Sequence, residues 1–260
     1  MRVARFVLSF LLLLSSSPCL NSQQSVATPE RDPQAAAILQ QSIVAFAKTS
    51  PTDSSANGTV TIVEGSTTQS GSIQILTRGA AQTMETLNLP GGQRSVTYSN
   101  GDAKEVIGSQ ATIPRLELIV TDQSADFPLP LLLWALNNSD EAFLYIGQET
   151  LNGTSTQHIQ VWNTFASKPR LGKLAPFSAR DIWFDTSSSL PLKIAFSRRA
   201  GGGAVPAIPV EVLFSNYTNV GGVLYPFQIN KSYNGTPWQT ITIQNVSFNT
   251  GLTDAQFQVN

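Results

Sequence analysis

The chain has 260 residues, of which 41% are hydrophobic and 13% charged, and its formal net charge is −1. This balance excludes the strongly basic surface that binding to nucleic acid requires. Charged residues are scarce beside abundant Ser, Thr, Asn and Gln, which favours solvent-facing sheets over charged helices. Cys19 is the only cysteine, so no disulfide can form within the chain.

The first residues have the pattern of a secretory signal peptide. Arg2 and Arg5 precede an apolar run over residues 6–14, which is shorter than the ~20 residues that a membrane span needs. We predict a signal peptide over 1–22, a polar linker over 23–31 and a single β domain over 32–260. Without Arg2 and Arg5 the chain has 14 basic residues against 17 acidic ones. We therefore expect a periplasmic or secreted protein; attachment of a lipid to Cys19 is the alternative, although Pro18 stands where that signal has a small residue.

One amphipathic helix is predicted at the start of the domain. Asp32 can cap it, Pro33 suits its first position, and it must end before Pro51. The apolar residues that follow the cap at helical spacing are Ala36, Leu39, Ile43, Phe46 and Ala47.

From Gly58 onward the hydrophobic period changes to two, which predicts short consecutive strands. Tight turns such as Asn100-Gly101-Asp102 separate them, as in an antiparallel meander. The predicted strands are Thr59–Val63, Ser72–Thr77, Gln82–Leu89, Arg94–Tyr98 and Ala103–Ile107.

The middle of the chain interrupts this alternation. Residues 113–120 are apolar enough for a helix, and a proline-flanked run, Leu131–Leu136, follows them. A segment this apolar must be covered, either as part of the core or as a lid over a cavity.

Strands resume after this segment and continue to the end of the chain. They are predicted at Ala142–Ile146, Gln157–Trp162, Asp181–Phe184, Leu190–Arg198, Val210–Phe214, Phe227–Tyr233 and Gln239–Phe248. In the last strand Ile241 and Ile243 are out of phase with Val246 and Phe248, which predicts a bulge near Asn245.

The sequence contains no recognisable catalytic set. His158 is the only histidine, and its place on an alternating strand is typical of a structural side chain. One histidine and one cysteine cannot build a transition-metal cluster, and no cofactor motif is present. Two pairs of carboxylates, Asp181 with Asp185 and Asp122 with Asp126, could serve a glycosidase; residues four apart on a strand are about 13 Å apart, beyond the range of that chemistry. We therefore predict a binding protein and not an enzyme.

Surplus apolar surface is the remaining functional signal. One-sided strands and the leucine-rich segment would suit a curved sheet that encloses a cavity for an apolar ligand. The candidate lining residues are Val60, Ile62, Ile73, Ile75, Met84, Leu131, Leu132, Trp134 and Leu136. A filled core is equally compatible with this pattern, and carbohydrate binding through Trp162, Trp183 or Trp238 is a third hypothesis.

The order of these features resembles the periplasmic lipoprotein carrier family and its lipoprotein-localisation fold. An amphipathic helix is followed by Gly58-Thr59-Val60-Thr61, by Gly71 to Arg78 and by the Asn100 turn. A proline-flanked apolar segment comes next, and the chain closes with Gly251 to Val259.

The resemblance implies an α+β protein that is mainly β: a curved antiparallel sheet forms an unclosed barrel, with an N-terminal helix and a helical lid segment. It implies acyl chains in the cavity, and it gives Arg78 the role of latching the lid, although Gly79 replaces the proline that follows this arginine in the family. The hypothesis is a monomeric carrier of a lipid or lipoprotein. The alternative is an interaction or stress-sensing module of the cell envelope with a protein partner and a filled core.

Overall fold

The computed structural model describes residues 28–123, 127–199 and 206–259. The predicted signal peptide, Cys19, Asp126 and the glycine run 201–203 lie outside the described residues.

The described chain is mainly β. Its strands are β1 Asp53–Glu64, β2 Thr67–Arg78, β3 Gln82–Leu89, β4 Gly92–Ser99, β5 Asp102–Ile107, β6 Gln110–Thr112, β7 Glu141–Leu151, β8 Thr154–Asn163, β9 Arg180–Asp185, β10 Pro191–Arg198, β11 Ile208–Val220, β12 Val223–Tyr233 and β13 Thr236–Phe248. They form one antiparallel sheet in the order β6-β5-β4-β3-β2-β1-β13-β12-β11-β10-β9-β8-β7. Because β6 and β7 do not pair, the barrel is not closed, and the predicted fold class is confirmed.

Helices cover the inner face of this sheet. They are α1 Pro33–Phe46, α2 Leu116–Asp122, α3 Pro128–Asn137 and α4 Ala175–Ser178, with 3₁₀ turns at Pro169–Leu174 and Asp254–Phe257. The start of α1 is as predicted: the Asp32 carboxylate accepts hydrogen bonds from the backbone N–H groups of Gln34 and Ala35, and Pro33 is the first helical residue. None of the helices in the described ranges is long and apolar enough to cross a membrane.

Two glycines allow the sheet to curl. A Cβ atom at Gly58 would clash with the carbonyl oxygen of Thr242, and one at Gly71 would clash with that of Asn88. The β1–β13 register also shifts here: Asn57 pairs with Asn245 but Gly58 pairs with Ile243, which confirms the predicted bulge.

The helix α3, predicted as core or lid, packs into the core on its inward side. Leu129 is 2% exposed, whereas Leu132 and Ala135 are fully buried. Just before the helix, Phe127 stacks on Tyr225 of the sheet, with 4.3 Å between ring centroids. Beneath α1 and α3 the inner face is therefore filled with side chains, and open space is found elsewhere.

Candidate functional site

A cavity of about 220 Å³ opens between the inner face of the sheet and α2. We call it the sheet cavity. Its apolar wall comes from six strands on one side and from α2 on the other, through Ile62, Leu87, Val96, Leu118, Phe196, Val210, Val212 and Trp238. It is smaller than the ~300–1,000 Å³ of drug-sized ligand sites. As it stands, the cavity suits one slender ligand and not several acyl chains side by side.

Charged side chains also line the sheet cavity. Three are acidic and three are basic: Glu85, Glu105, Asp122, Arg94, Arg198 and Lys231. The Lys231 ammonium lies 3.7 Å from the Glu85 carboxylate, and the two side chains are only 12% and 13% exposed. The lining is therefore amphipathic and carries no net charge.

Curvature of the sheet brings the charged residues of this cavity together. We call Glu85, Lys231, Asp122 and Arg198 the floor of the sheet cavity. The Gln239 amide of β13 donates to the Glu85 carboxylate of β3 over 3.3 Å, although β1 and β2 lie between these strands. Glu85, Gln239 and Lys231 were not among the residues predicted to form a site. The signal was available, since Glu85 is in phase with buried Leu87 and Lys231 with buried Ile229.

Two arginines attach α2 to the sheet. Arg198 of β10 donates from Nε to the Asp122 carboxylate at the end of α2 over 2.9 Å. Arg180 of β9 donates to the last carbonyl groups of α2, those of Val120 and Thr121, over 2.9 and 3.0 Å. Both cations thus lie at the negative end of the helix dipole. Burial raises the pKa of Asp122, although Arg198 opposes the shift.

A second cavity, of about 420 Å³, lies between α2, α3 and the 3₁₀ turn at 169–174. We call it the helix cavity. Trp134 lines it and donates its indole N–H to the buried Glu141 carboxylate over 2.8 Å, and Asn163 donates to the same oxygen over 2.9 Å. Burial raises the pKa of Glu141, and these two hydrogen bonds offset part of the shift. The buried Arg180 also borders this cavity, so its lining contains buried polar side chains.

The strand residues predicted to line a ligand cavity are not all together. Only Ile62 lines the sheet cavity, whereas Val60, Ile73 and Ile75 are buried in the filled core. The β2–β3 register pairs Met84 with Leu76 and Glu85 with Ile75, so Met84 lies on the opposite face from the cavity residue Glu85. A one-residue step along a strand reverses the face, which corrects the placement of Met84.

The predicted residues of α3 are divided in the same way. Leu131 and Trp134 line the helix cavity. Leu132 is fully buried in the core, and Leu136 packs against the core's edge. The leucine-rich segment therefore borders the helix cavity and not the sheet cavity.

Arg78, to which the resemblance gave the role of latching the lid, forms its side-chain hydrogen bonds away from α3. Arg78 donates to Gln82 and to Asp254, both over 2.6 Å, at the C-terminal 3₁₀ turn. Arg31 instead donates to the carbonyl oxygen of Leu136 over 2.6 Å and to that of Asn138 over 3.0 Å, at the end of α3. Arg31 precedes the predicted helix in a polar linker, where no hydrophobic period could reveal this contact.

His158 belongs to a polar cluster on the outer face of the sheet. Its Nδ1 lies 2.7 Å from Glu149 and its Nε2 lies 2.9 Å from Asp181, while its ring stacks on Trp183 at 4.2 Å. The indole N–H of Trp183 donates to Glu149, and this bond, followed by that of His158, lowers the pKa of the Glu149 carboxyl. Both ring nitrogens are engaged, and within the described ranges no group of His, Cys, Asp or Glu is arranged to hold a metal.

Asp181 and Asp185 are not assembled into a catalytic pair, and two of the three tryptophans considered above lie on opposite faces of the sheet. Asp185 accepts hydrogen bonds from Ser187 and Ser188 within its own turn, whereas Asp181 bonds to His158. Trp183 is 9% exposed on the outer face, and Trp238 lines the sheet cavity on the inner face. These two aromatic rings therefore do not share a sugar-binding platform.

No protein-family model and no curated protein matches this chain. Solved structures are similar to it in fold. A LolA superfamily protein from Nitrosomonas europaea has a TM-score of 0.59 at 12% identity, over 86% of this chain and 97% of that one. A domain described as an outer-membrane lipoprotein-sorting protein, from Vibrio parahaemolyticus, has a TM-score of 0.59 at 15% identity, over 86% and 96%. A DUF1329 family protein from Desulfovibrio piger has a TM-score of 0.58 at 14% identity, over 86% and 97%. The resemblance to the lipoprotein-localisation fold is confirmed.

Proposed function

We propose that this chain is an exported, non-catalytic protein that binds a single hydrophobic or amphipathic ligand in the sheet cavity. The observation that carries the proposal is the cavity itself, with an apolar wall formed by strands and by α2. Burial of apolar surface at ~25 cal/mol per Å² supplies affinity without chemistry. The leader-like sequence at residues 1–22 supports export to the periplasm or beyond, and similarity to lipoprotein-sorting folds supports a lipid or lipoprotein ligand.

The first test is direct. Lipid should co-purify with the protein and be detectable by mass spectrometry after extraction with organic solvent. The delipidated protein should then bind a fluorescent fatty acid that is excited in the visible range. Delipidated protein that fails to bind any such probe contradicts the proposal.

A variant locates the site. Val96→Trp places a large ring in the sheet cavity, because Val96 lines it, and should weaken probe binding by at least tenfold. Val44→Trp is the matched control, since Val44 is 57% exposed on α1. Equal binding by the two variants would remove the sheet cavity from the proposal.

The close packing beneath α3 supports a second candidate, a module that binds an envelope protein and has no ligand. Leu132 is fully buried there, as a filled core requires. Under this function the chain would capture a protein partner and would bind lipid probes no better than Val96→Trp does. Titration of delipidated wild-type protein with the fatty-acid probe separates the two functions.

A further inference from the structure

We propose that the ligand of the sheet cavity is a zwitterionic amphiphile, with one cationic and one anionic group in its head. This inference rests on the proposed function and specifies its ligand class. The sheet cavity combines an apolar wall with charged side chains on its floor.

The floor charges are deep enough to affect binding. The Glu85 and Lys231 side chains are 13% and 12% exposed, and Asp122 is 22% exposed beside Arg198 at 34%. A buried ion pair rarely stabilises a fold more than apolar residues of the same shape would. Fold stability therefore gives little reason for the Glu85–Lys231 pair at strand positions in phase with buried Leu87 and Ile229.

Because the floor charges are paired, they favour a ligand head that has no net charge. Within the cavity each deep cation lies beside a carboxylate, with Lys231 near Glu85 and Arg198 on Asp122. An anionic or cationic head would introduce an uncompensated charge into a partly desolvated space, which is unfavourable. A head that carries both signs can place its cation near a carboxylate and its anion near Lys231 or Arg198, and it keeps the total charge at zero.

One buried acceptor next to Glu85 also lacks a hydrogen bond. Gln239 is 2% exposed and donates its amide N–H to Glu85, yet its Oε1 atom has no hydrogen-bond partner among the described residues. Such acceptors are uncommon in folded proteins because each loses its bond to water. Gln239 does not itself line the sheet cavity, but it bonds to Glu85, which does, so the polar network of the floor extends behind the cavity wall.

The test compares three ligands that carry the same saturated chain: lauroyl lysophosphatidylethanolamine, laurate and dodecylamine. Each displaces the fluorescent fatty acid from delipidated protein below its micelle concentration. The zwitterion should bind at least tenfold tighter than laurate and dodecylamine. Equal affinities, or a preference for laurate, would overturn the inference and leave the proposed function standing, whereas no binding of any ligand would overturn both.

Variants test the role of the floor charges. Glu85→Gln keeps the shape of the side chain and leaves the cavity with one extra positive charge. The affinity for laurate should therefore rise at least tenfold relative to the affinity for the zwitterion. Lys231→Met should shift the preference toward dodecylamine. Glu211→Gln removes the same charge from the outer face, where Glu211 pairs with Lys193, and should leave the order unchanged. If Glu85→Gln behaves like Glu211→Gln while both remain folded, the inference is wrong.

Discussion

The contacts of Arg31 predict that this residue, and not Arg78, holds α3 in place. Arg31→Met keeps the apolar stem but removes hydrogen bonds of 2.6 and 3.0 Å to the carbonyls of Leu136 and Asn138. A hydrogen bond from a charged donor contributes about 1.5–3 kcal/mol. Because the freed carbonyls at the end of α3 regain part of this from water, we expect the two bonds together to contribute about 1.5–3 kcal/mol. At roughly 2–4 °C per kcal/mol for a domain of this size, the melting temperature should fall by about 3–12 °C.

Differential scanning calorimetry measures this loss, and hydrogen exchange locates it. Exchange should accelerate at the amides of α3 before the sheet is affected, because the lost contacts lie at the end of that helix. Arg78→Met is the matched control: its ion pair with Asp254 is 37% and 80% exposed, and such surface pairs contribute little to stability. Equal melting temperatures for the two variants, with α3 exchange unchanged, would refute the role of Arg31.

Three further predictions concern packing and pH. Leu132→Ala should lower the free energy of unfolding in urea by about 2–5 kcal/mol, since the side chain is fully buried; a change near zero would mean that α3 does not pack as described. Gly58→Ala should cost about 1–3 kcal/mol because the added methyl group meets the Thr242 carbonyl, whereas Gly172→Ala has open space and should melt like wild type. Burial raises the pKa of Glu141 above its ordinary 4.5, so the native state retains this proton to a higher pH than the unfolded state does. This contribution to stability is lost as pH rises above about 4.5, and urea titrations of Glu141→Gln should show a flatter decline from there to neutral pH; an unchanged slope would contradict the assignment.

The sequence predicted the local elements because their causes are local. Asp32 and Pro33 define the start of α1, and the phase change between Ile243 and Val246 locates the bulge, without reference to any distant residue. Met84 was misplaced because a strand with polar and apolar residues on both faces does not specify its register. Arg31 was missed because its partners are more than one hundred residues away in the chain.

The contact between the charged residues of the floor could not be predicted from local sequence patterns. Glu85 and Lys231 are in phase with buried Leu87 and Ile229, which indicates their face of the sheet, but neither strand alone indicates that the two side chains meet. Only the pairing of β1 with β13, together with the curl that Gly58 and Gly71 permit, brings them to 3.7 Å. The inner face is thereby divided in two: α1 and α3 fill one part with side chains, whereas α2 covers a smaller space with charges on its floor. Because the division arises from these non-local contacts, a chain can keep this fold and change its ligand through a few inward-facing residues, and here those residues favour a polar head over a bundle of acyl chains.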